Sequence, residues 1–267
     1  MRSFLRHLRG FGRALVLAVT TGLFYALWAS LTPLFASRPQ TAYRWRNFHF
    51  RNWARVAGRI LGIRIQQKGF PPQAPFFLVC NHLSYLDIVV LAARLDSIFI
   101  SKSDVAGWPV LGLLTRSMGT LYVNRNSRSD VVRVNALVDR TLAAGRGVLL
   151  FPEGTSSAGS EVLPFHSALL EPAIRSSYPV SYATLSYRTA AGDPPAHLSV
   201  CWWGEMTFLS HFYRLLQLRS IEADLTFGSH SIRADNRKVL AASLHQAVQG
   251  EFTPVIGVNQ PCKVTSH

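Results

Sequence analysis

A histidine followed five residues later by an aspartate, in Asn81-His82-Leu83-Ser84-Tyr85-Leu86-Asp87, comes directly after the apolar run Phe76-Phe77-Leu78-Val79-Cys80. A carboxylate that meets the imidazole fixes its tautomer and leaves the second ring nitrogen free to take a proton. An alcohol becomes a competent nucleophile only as a base removes its proton, so this pair has the chemistry to activate a hydroxyl. A second block, Phe151-Pro152-Glu153-Gly154-Thr155-Ser156, follows Val148-Leu149-Leu150. Both blocks sit where a buried strand would end and a loop begin, which is where α/β folds hold their chemistry. Each also has a plainer reading. Ser84-x-x-Asp87 matches a helix capping box, and Pro152 with Gly154 matches an ordinary turn. Cys80 offers a thiol, but on an apolar run it reads as a small buried residue.

The elements that must position these blocks are legible as alternating runs. Short apolar stretches at 76–80, 97–101, 120–123, 147–151, 179–187, 197–202 and 221–227 predict strands. Amphipathic stretches at about 84–94, 109–117, 129–144, 167–176, 206–218 and 235–249 predict helices. The succession predicts an α/β fold, a mostly buried sheet flanked by helices. Gly145-Arg146-Gly147 ends a helix before the strand that leads to Glu153.

Charge divides the chain. Residues 1–68 hold twelve of the 28 Lys and Arg and no acid, and Asp87 is the first acidic residue. Of the net charge of +14, all but +2 therefore belongs to the N-terminal segment. A basic flank beside apolar sequence suits anionic lipid headgroups better than nucleic acid, which would require the basic patch on the folded domain. Ala14 to Phe35 is almost uninterrupted apolar sequence, long enough to cross a hydrocarbon core and longer than the core of a signal peptide. Arginines flank both ends. The heavier C-terminal flank favours a cytoplasmic body, and a segment that dips into one leaflet explains charge at both ends equally well. Residues 43–62 predict an amphipathic interfacial helix, with Arg44, Arg51, Arg55 and Arg59 on one face and Trp45, Phe50, Trp53, Val56, Ala57 and Ile60 on the other. Arg46 breaks that pattern. A helix packed on the body with a solvated basic face is the alternative. Cys80, Cys201 and Cys262 show no metal spacing and no disulfide framework.

In order and spacing, Asn-His-x-x-x-x-Asp, the segment from Gly119 to Arg125, and Phe-Pro-Glu-Gly-Thr resemble the glycerolipid acyltransferase family, most of all bacterial 1-acylglycerol-3-phosphate acyltransferases. The likeness spans roughly residues 60–230. It implies transfer of an acyl group from a thioester, on CoA or acyl carrier protein as co-substrate, to the sn-2 hydroxyl of a 1-acylglycerol-3-phosphate. His82 would be the base and Asp87 its orienter, with no covalent acyl-enzyme, metal or resident cofactor. Glu153, Gly154 and Thr155 would help bind the acceptor, Glu153 by accepting hydrogen bonds from its headgroup or by ordering the loop, with Lys102 and Arg125 as cations for its phosphate. Each cation reads equally as a solvated surface charge. His166 lies where relatives often carry Lys or Arg. The family pattern usually continues with arginine where this chain has Ser156, a substitution shared with branches resembling lyso-ornithine lipid acyltransferases, so the acceptor headgroup stays open. A catalytically silent lipid-binding protein is the rival from another class. With the likeness, the apolar N-terminal segment and the aperiodic C-terminus together, the chain divides into a membrane anchor at 1–62, an acyltransferase domain at 63–250 and a flexible tail at 251–267. The expectation is an inner-membrane enzyme with its site on the cytoplasmic side, lysolipid and anionic headgroups as partners, and no nucleic acid.

Overall fold

The computed structural model describes residues 2–108 and 110–256. Two long helices open the chain, α1 (Arg2–Leu31) and α2 (Pro39–Leu61), joined by a short 3-10 turn at Thr32–Phe35. Pro33 and Pro39 each stand in the first turn of a helical segment, where a missing N–H costs nothing. Gly62, at φ 76°, ends α2 in the left-handed conformation and turns the chain into the sheet.

The body that follows is a seven-stranded sheet of β1 (Ile63–Lys68), β2 (Phe76–Cys80), β3 (Ser97–Lys102), β4 (Leu121–Val123), β5 (Gly147–Leu150), β6 (Val180–Thr189) and β7 (Ile221–Phe227). Its order is β1-β7-β6-β2-β5-β3-β4. All neighbours run parallel except β6 and β7. The helices are α3 (Leu86–Ala92), α4 (Leu111–Ser117), α5 (Arg128–Ala143), α6 (Glu171–Arg175), α7 (Ala196–Ser199), α8 (Phe208–Leu216) and α9 (Arg237–Glu251). Every residue of β2 and β5 is buried, as expected of central parallel strands covered on both faces. The α/β architecture is the one the alternation predicts.

Two elements differ from the sequence reading. β1 carries Ile63 and Ile65 but otherwise polar residues, and as an edge strand it buries only one of its six positions, so its apolar signal is weak. The stretch 197–202, predicted as a strand, is the short helix α7 followed by an extended segment. Pro195 presets the helix start, and the Trp202 N–H then bonds the carbonyl of Leu83 instead of a sheet neighbour. The predicted flexible tail also needs correction in its described part. Phe252 and Ile256 are buried, the Val255 N–H donates to Gly159 O at 2.7 Å, and Ser186 Oγ donates to Thr253 O at 2.6 Å. Two buried side chains and two hydrogen bonds outweigh the lack of periodicity. Residues 257–267, with Cys262, lie outside the described residues.

The N-terminal arginines serve the fold directly. Arg9 donates to Gln217 O at 3.0 Å, and Arg13 donates to Leu218 O at 2.5 Å and to Leu216 O at 3.3 Å. They satisfy the open carbonyls at the end of α8, where the helix dipole also favours a cation. On α2 the predicted basic face is shared out. Arg44, Arg55 and Arg59 are exposed, but Arg55 also donates to Ala93 O at 3.2 Å beside α3, and Arg51 pairs with Asp96 at 2.6 Å. α2 is thus packed between α1 and the body, not laid alone on a surface. α1 leaves Phe4, Leu8, Phe11, Leu15, Val19, Leu23 and Leu27 exposed at helical spacing, one continuous apolar stripe.

Candidate active site

Because β2, β5, β3 and β4 are parallel, their C-terminal ends meet at one sheet edge. That edge carries Asn81-His82 after β2, Phe151 to Thr155 after β5, Lys102 at the end of β3 and Arg125 just past β4. The topology, not proximity in sequence, unites both motif blocks.

His82 Nδ1 lies 2.7 Å from Asp87 Oδ2. Asp87, 0 % exposed in the first turn of α3, accepts three further hydrogen bonds: from the N–H of Leu83 at 2.7 Å, from the N–H of Ser84 at 3.0 Å, and from the Tyr187 hydroxyl at 2.7 Å on its other oxygen. The capping reading of Asp87 holds in part, since its carboxylate takes the Ser84 N–H, and the same group meets the imidazole as the catalytic reading requires. The same oxygen that closes the turn holds the imidazole. Burial, with Asp87 adding to it, holds the Tyr187 phenol well above its ordinary pKa, so it stays a donor. With Nδ1–H directed at a carboxylate, the His82 tautomer leaves Nε2 free, and the side chain keeps 21 % exposure. Its ring stacks on Phe151 at 4.2 Å and 18°, which fixes the plane. Burial raises the Cys80 thiol well above its usual pKa, with Asp87 and Glu153 adding to the rise. With Cys80 0 % exposed, the plainer reading of a small buried residue fits it.

The loop is pinned on every side. Asn81 donates to Leu185 O at 2.9 Å and accepts from the Leu185 N–H at 2.7 Å, which locks the motif to β6. The Ser157 N–H donates to His82 O at 3.1 Å. Tyr85 meets His211 Nδ1 at 2.9 Å. The Trp202 backbone bridges the two blocks: its N–H bonds Leu83 O at 2.8 Å, and its carbonyl accepts from Ser156 Oγ.

Glu153 faces inward, 3 % exposed. One oxygen accepts from the His82 N–H at 2.5 Å and the other from the Leu163 N–H at 2.9 Å. Of the two roles the sequence allowed, contact with the acceptor or ordering of the loop, both of its oxygens serve the second. Burial pushes its carboxyl up to about 8, against the pull of the Leu163 and His82 N–H groups, and Asp87 adds to the rise. A carboxyl raised in the folded state binds its proton there more readily than in the unfolded chain. Stability from this group is thus fully present below the usual 4.5 and lost as pH rises to about 8. Glu153→Gln is expected to flatten that slope in chemical-denaturation midpoints measured from pH 5 to pH 8. It also turns an amide N–H toward a backbone N–H, so a 10- to 100-fold loss of turnover is expected, roughly the cost of one misplaced buried polar contact.

Gly154 adopts φ 78°, and a Cβ there would stand 2.3 Å from Arg125 Nη1. Arg125 donates to the Gly154 carbonyl and is half-buried, with His166 against the same glycine. Thr155 is exposed at the loop tip. Lys102 is exposed and pairs with Asp104 at 2.5 Å. The structure therefore gathers His82, Asp87 and Glu153 into one bonded unit and sets Arg125, Gly154 and His166 beside it. Lys102 shares the edge without joining the network. Tyr187 escaped the sequence reading because nothing separates it from other strand aromatics. The only signal was a strand buried on both faces that carries hydroxyls in need of partners.

Among family models, Acyltransferase matches residues 62–185. A lyso-ornithine lipid O-acyltransferase of Rhodobacter capsulatus is 34 % identical over 202 residues, 73 % of this chain and 72 % of that one. The chain belongs to the acyltransferase family. A 1-acyl-sn-glycerol-3-phosphate acyltransferase of Neisseria gonorrhoeae is 33 % identical over 172 residues, covering 64 % of this chain and 67 % of its own. The crystal structure of the 1-acyl-sn-glycerophosphate acyltransferase PlsC from Thermotoga maritima shares the fold, with a TM-score of 0.68 at 16 % identity over 94 % of this chain and 97 % of that one. The acyltransferase is an enzyme of lipid biosynthesis, and the resemblance read from the three motif segments stands.

Proposed function

We propose that the acyltransferase moves a fatty acyl group from a soluble thioester, acyl-CoA or acyl carrier protein, to the free hydroxyl of a lysolipid held in the membrane. The observation that carries this reading is the free Nε2 of His82, with Nδ1 tied to a buried aspartate. Nε2 takes the hydroxyl proton as the oxygen attacks the thioester carbonyl. The tetrahedral adduct then collapses, the carbon–sulfur bond breaks, and the imidazolium returns its proton to the departing thiolate. Asp87 offsets the positive charge on the ring during that interval.

Two acceptor classes have support. Ser156 stands where the family pattern carries arginine, and its hydroxyl is used internally on Trp202 O. Lys102 is occupied by Asp104 and Arg125 by the Gly154 carbonyl. A phosphomonoester with close to two negative charges needs free forked donors, so these engagements favour a head without one, and lyso-ornithine lipid is the first candidate. The second reading is 1-acylglycerol-3-phosphate. The Neisseria relative's name supports it, as does the placement of Arg125 and His166 on one glycine.

The bare apolar stripe on α1 supports attachment to a bilayer. Its first turns are tied to α8 and the end of α2 joins β1 at the same place, where Arg13 adjoins both Gly62 and Arg219. We read the helix pair as a hairpin that enters and leaves on the body's side of an inner membrane, facing the cytoplasm, so a lysolipid reaches the site with its tail still in lipid.

The test is a thiol-release assay with acyl-CoA and a panel of lysolipids. Wild type is expected to prefer lyso-ornithine lipid. Ser156→Arg is expected to raise 1-acylglycerol-3-phosphate turnover relative to it by roughly tenfold, about one charge-assisted contact. Equal ratios in the two proteins would return the choice of head to Arg125 and His166. No thiol release with any lysolipid would overturn the reading.

A further inference from the structure

Arg46, which interrupts the apolar face of α2 in sequence, does not join the other arginines at the surface. Its guanidinium reaches the turn before β4, where Gly119, at φ 74°, admits it: a Cβ there would stand 2.1 Å from Arg46 Nη1. Tyr43, nearly one turn earlier on α2, is flanked by two guanidiniums, with Arg46 Cζ 5.1 Å and Arg146 Cζ 4.5 Å from its ring centroid. Among the described residues neither arginine is paired with a carboxylate. Arg46 Nε and Nη2, Arg146 Nε and the Tyr43 hydroxyl are all buried without a hydrogen-bond partner. Buried donors left open in this number are costly, and two unpaired cations around one phenol mark a place for an anion. Gly119 lies just before β4 and Arg146 just before β5. The cluster therefore sits at the N-terminal edge of the parallel strands, opposite the edge that carries His82.

Of this cluster, Arg46 also lines an open crevice between the helical hairpin and α4. Its other walls are mainly apolar and aromatic, among them Phe24, Trp28, Phe50, Trp53 and Met118. His49, 6 % exposed, lines it too and leaves Nδ1 unpartnered.

We propose that the crevice and the arginine pair form a second lipid site, separate from the catalytic edge. A membrane phospholipid would place its phosphate on Arg46 and Arg146 beside the Tyr43 hydroxyl, with one acyl chain along the aromatic wall. Guanidinium forks match phosphate oxygens two by two, and the phenol supplies a further donor. The occupant is a lipid because the cation opens onto an apolar space, and because that space is walled by the same two helices whose outer surface is a bare apolar stripe. The bound lipid would fasten the hairpin to the body. The site is independent of which lysolipid the enzyme acylates.

Native mass spectrometry of the full chain in neutral detergent tests this. The probes are a phosphatidylglycerol, a diacylglycerol with the same chains, and inorganic phosphate. Lipid bound at the catalytic edge is common to all variants, so the readout is the difference between them. Wild type is expected to retain a saturable phosphatidylglycerol. Arg46→Gln and Arg146→Gln are each expected to lower that occupancy roughly tenfold or more, the value of a charge-assisted contact. Ser117→Trp, which fills the crevice without removing a charge, is expected to do the same. Occupancy unchanged in arginine variants with an intact near-UV CD spectrum would overturn the proposal. So would diacylglycerol retained equally well, which means a site for tails alone, or inorganic phosphate competing the lipid away, which means a free-anion site. If Arg46→Gln does not fold, Arg46→Lys and Ser117→Trp decide. The first must retain more lipid than the second.

Discussion

His82→Ala is expected to lower acyl transfer by roughly 10³-fold or more, the upper part of the range for a positioned general base. Nothing else among the described groups at that edge replaces it. Cys80 is buried with its thiol held protonated, and Glu153 has both oxygens committed to backbone N–H groups. The loop should survive the change. Asp87 keeps the Leu83 and Ser84 N–H groups and the Tyr187 hydroxyl, and Asn81 still locks the loop to β6. The expected result is a protein with near wild-type melting behaviour and binding to phosphatidylglycerol vesicles, but no thiol release above background. Wild-type-like transfer would remove the mechanism.

The second large effect separates the two duties of Asp87. In Asp87→Asn, the amide oxygen can stay with the Leu83 and Ser84 N–H groups and His82 Nδ1–H, while its NH₂ meets the Tyr187 hydroxyl, which can rotate to accept. The turn closes, but the ring loses the charge that stabilises its protonated form. Activity should fall about 10²- to 10⁴-fold with the fold retained. Asp87→Ala instead strands the buried backbone donors at a position with 0 % exposure. That should cost about 3–5 kcal/mol, as for a buried charged partner removed, and lower the melting temperature by roughly 10 °C. Comparing the two variants by thermal unfolding and thiol release tests the assignment. Equal destabilisation by both would mean that the carboxylate's charge, not its shape, closes the turn.

The same contrast runs through the molecule. Residue types, their order and their spacing determined the α/β fold, because buried parallel strands must be apolar and amphipathic helices must alternate with them. They also determined the two motif blocks and the apolar N-terminal segment, since local patterns need only neighbouring residues. What the helical hairpin touches was decided in tertiary structure. Arg9 and Arg13 stood only among the arginines flanking the apolar segment, yet they satisfy carbonyls at the end of α8, more than 200 residues away. Glu153 read as a contact for the acceptor or an anchor for the loop, and only the β2–β5 pairing shows it gripping the His82 backbone. Tyr187 was invisible because its partner Asp87 lies 100 residues earlier and meets it only through the sheet. Arg46 looked like a flaw in a helical pattern until Gly119 and Arg146 came to stand around it. A sequence sets which groups a chain carries, whereas burial and pairing depend on which distant segments share an edge.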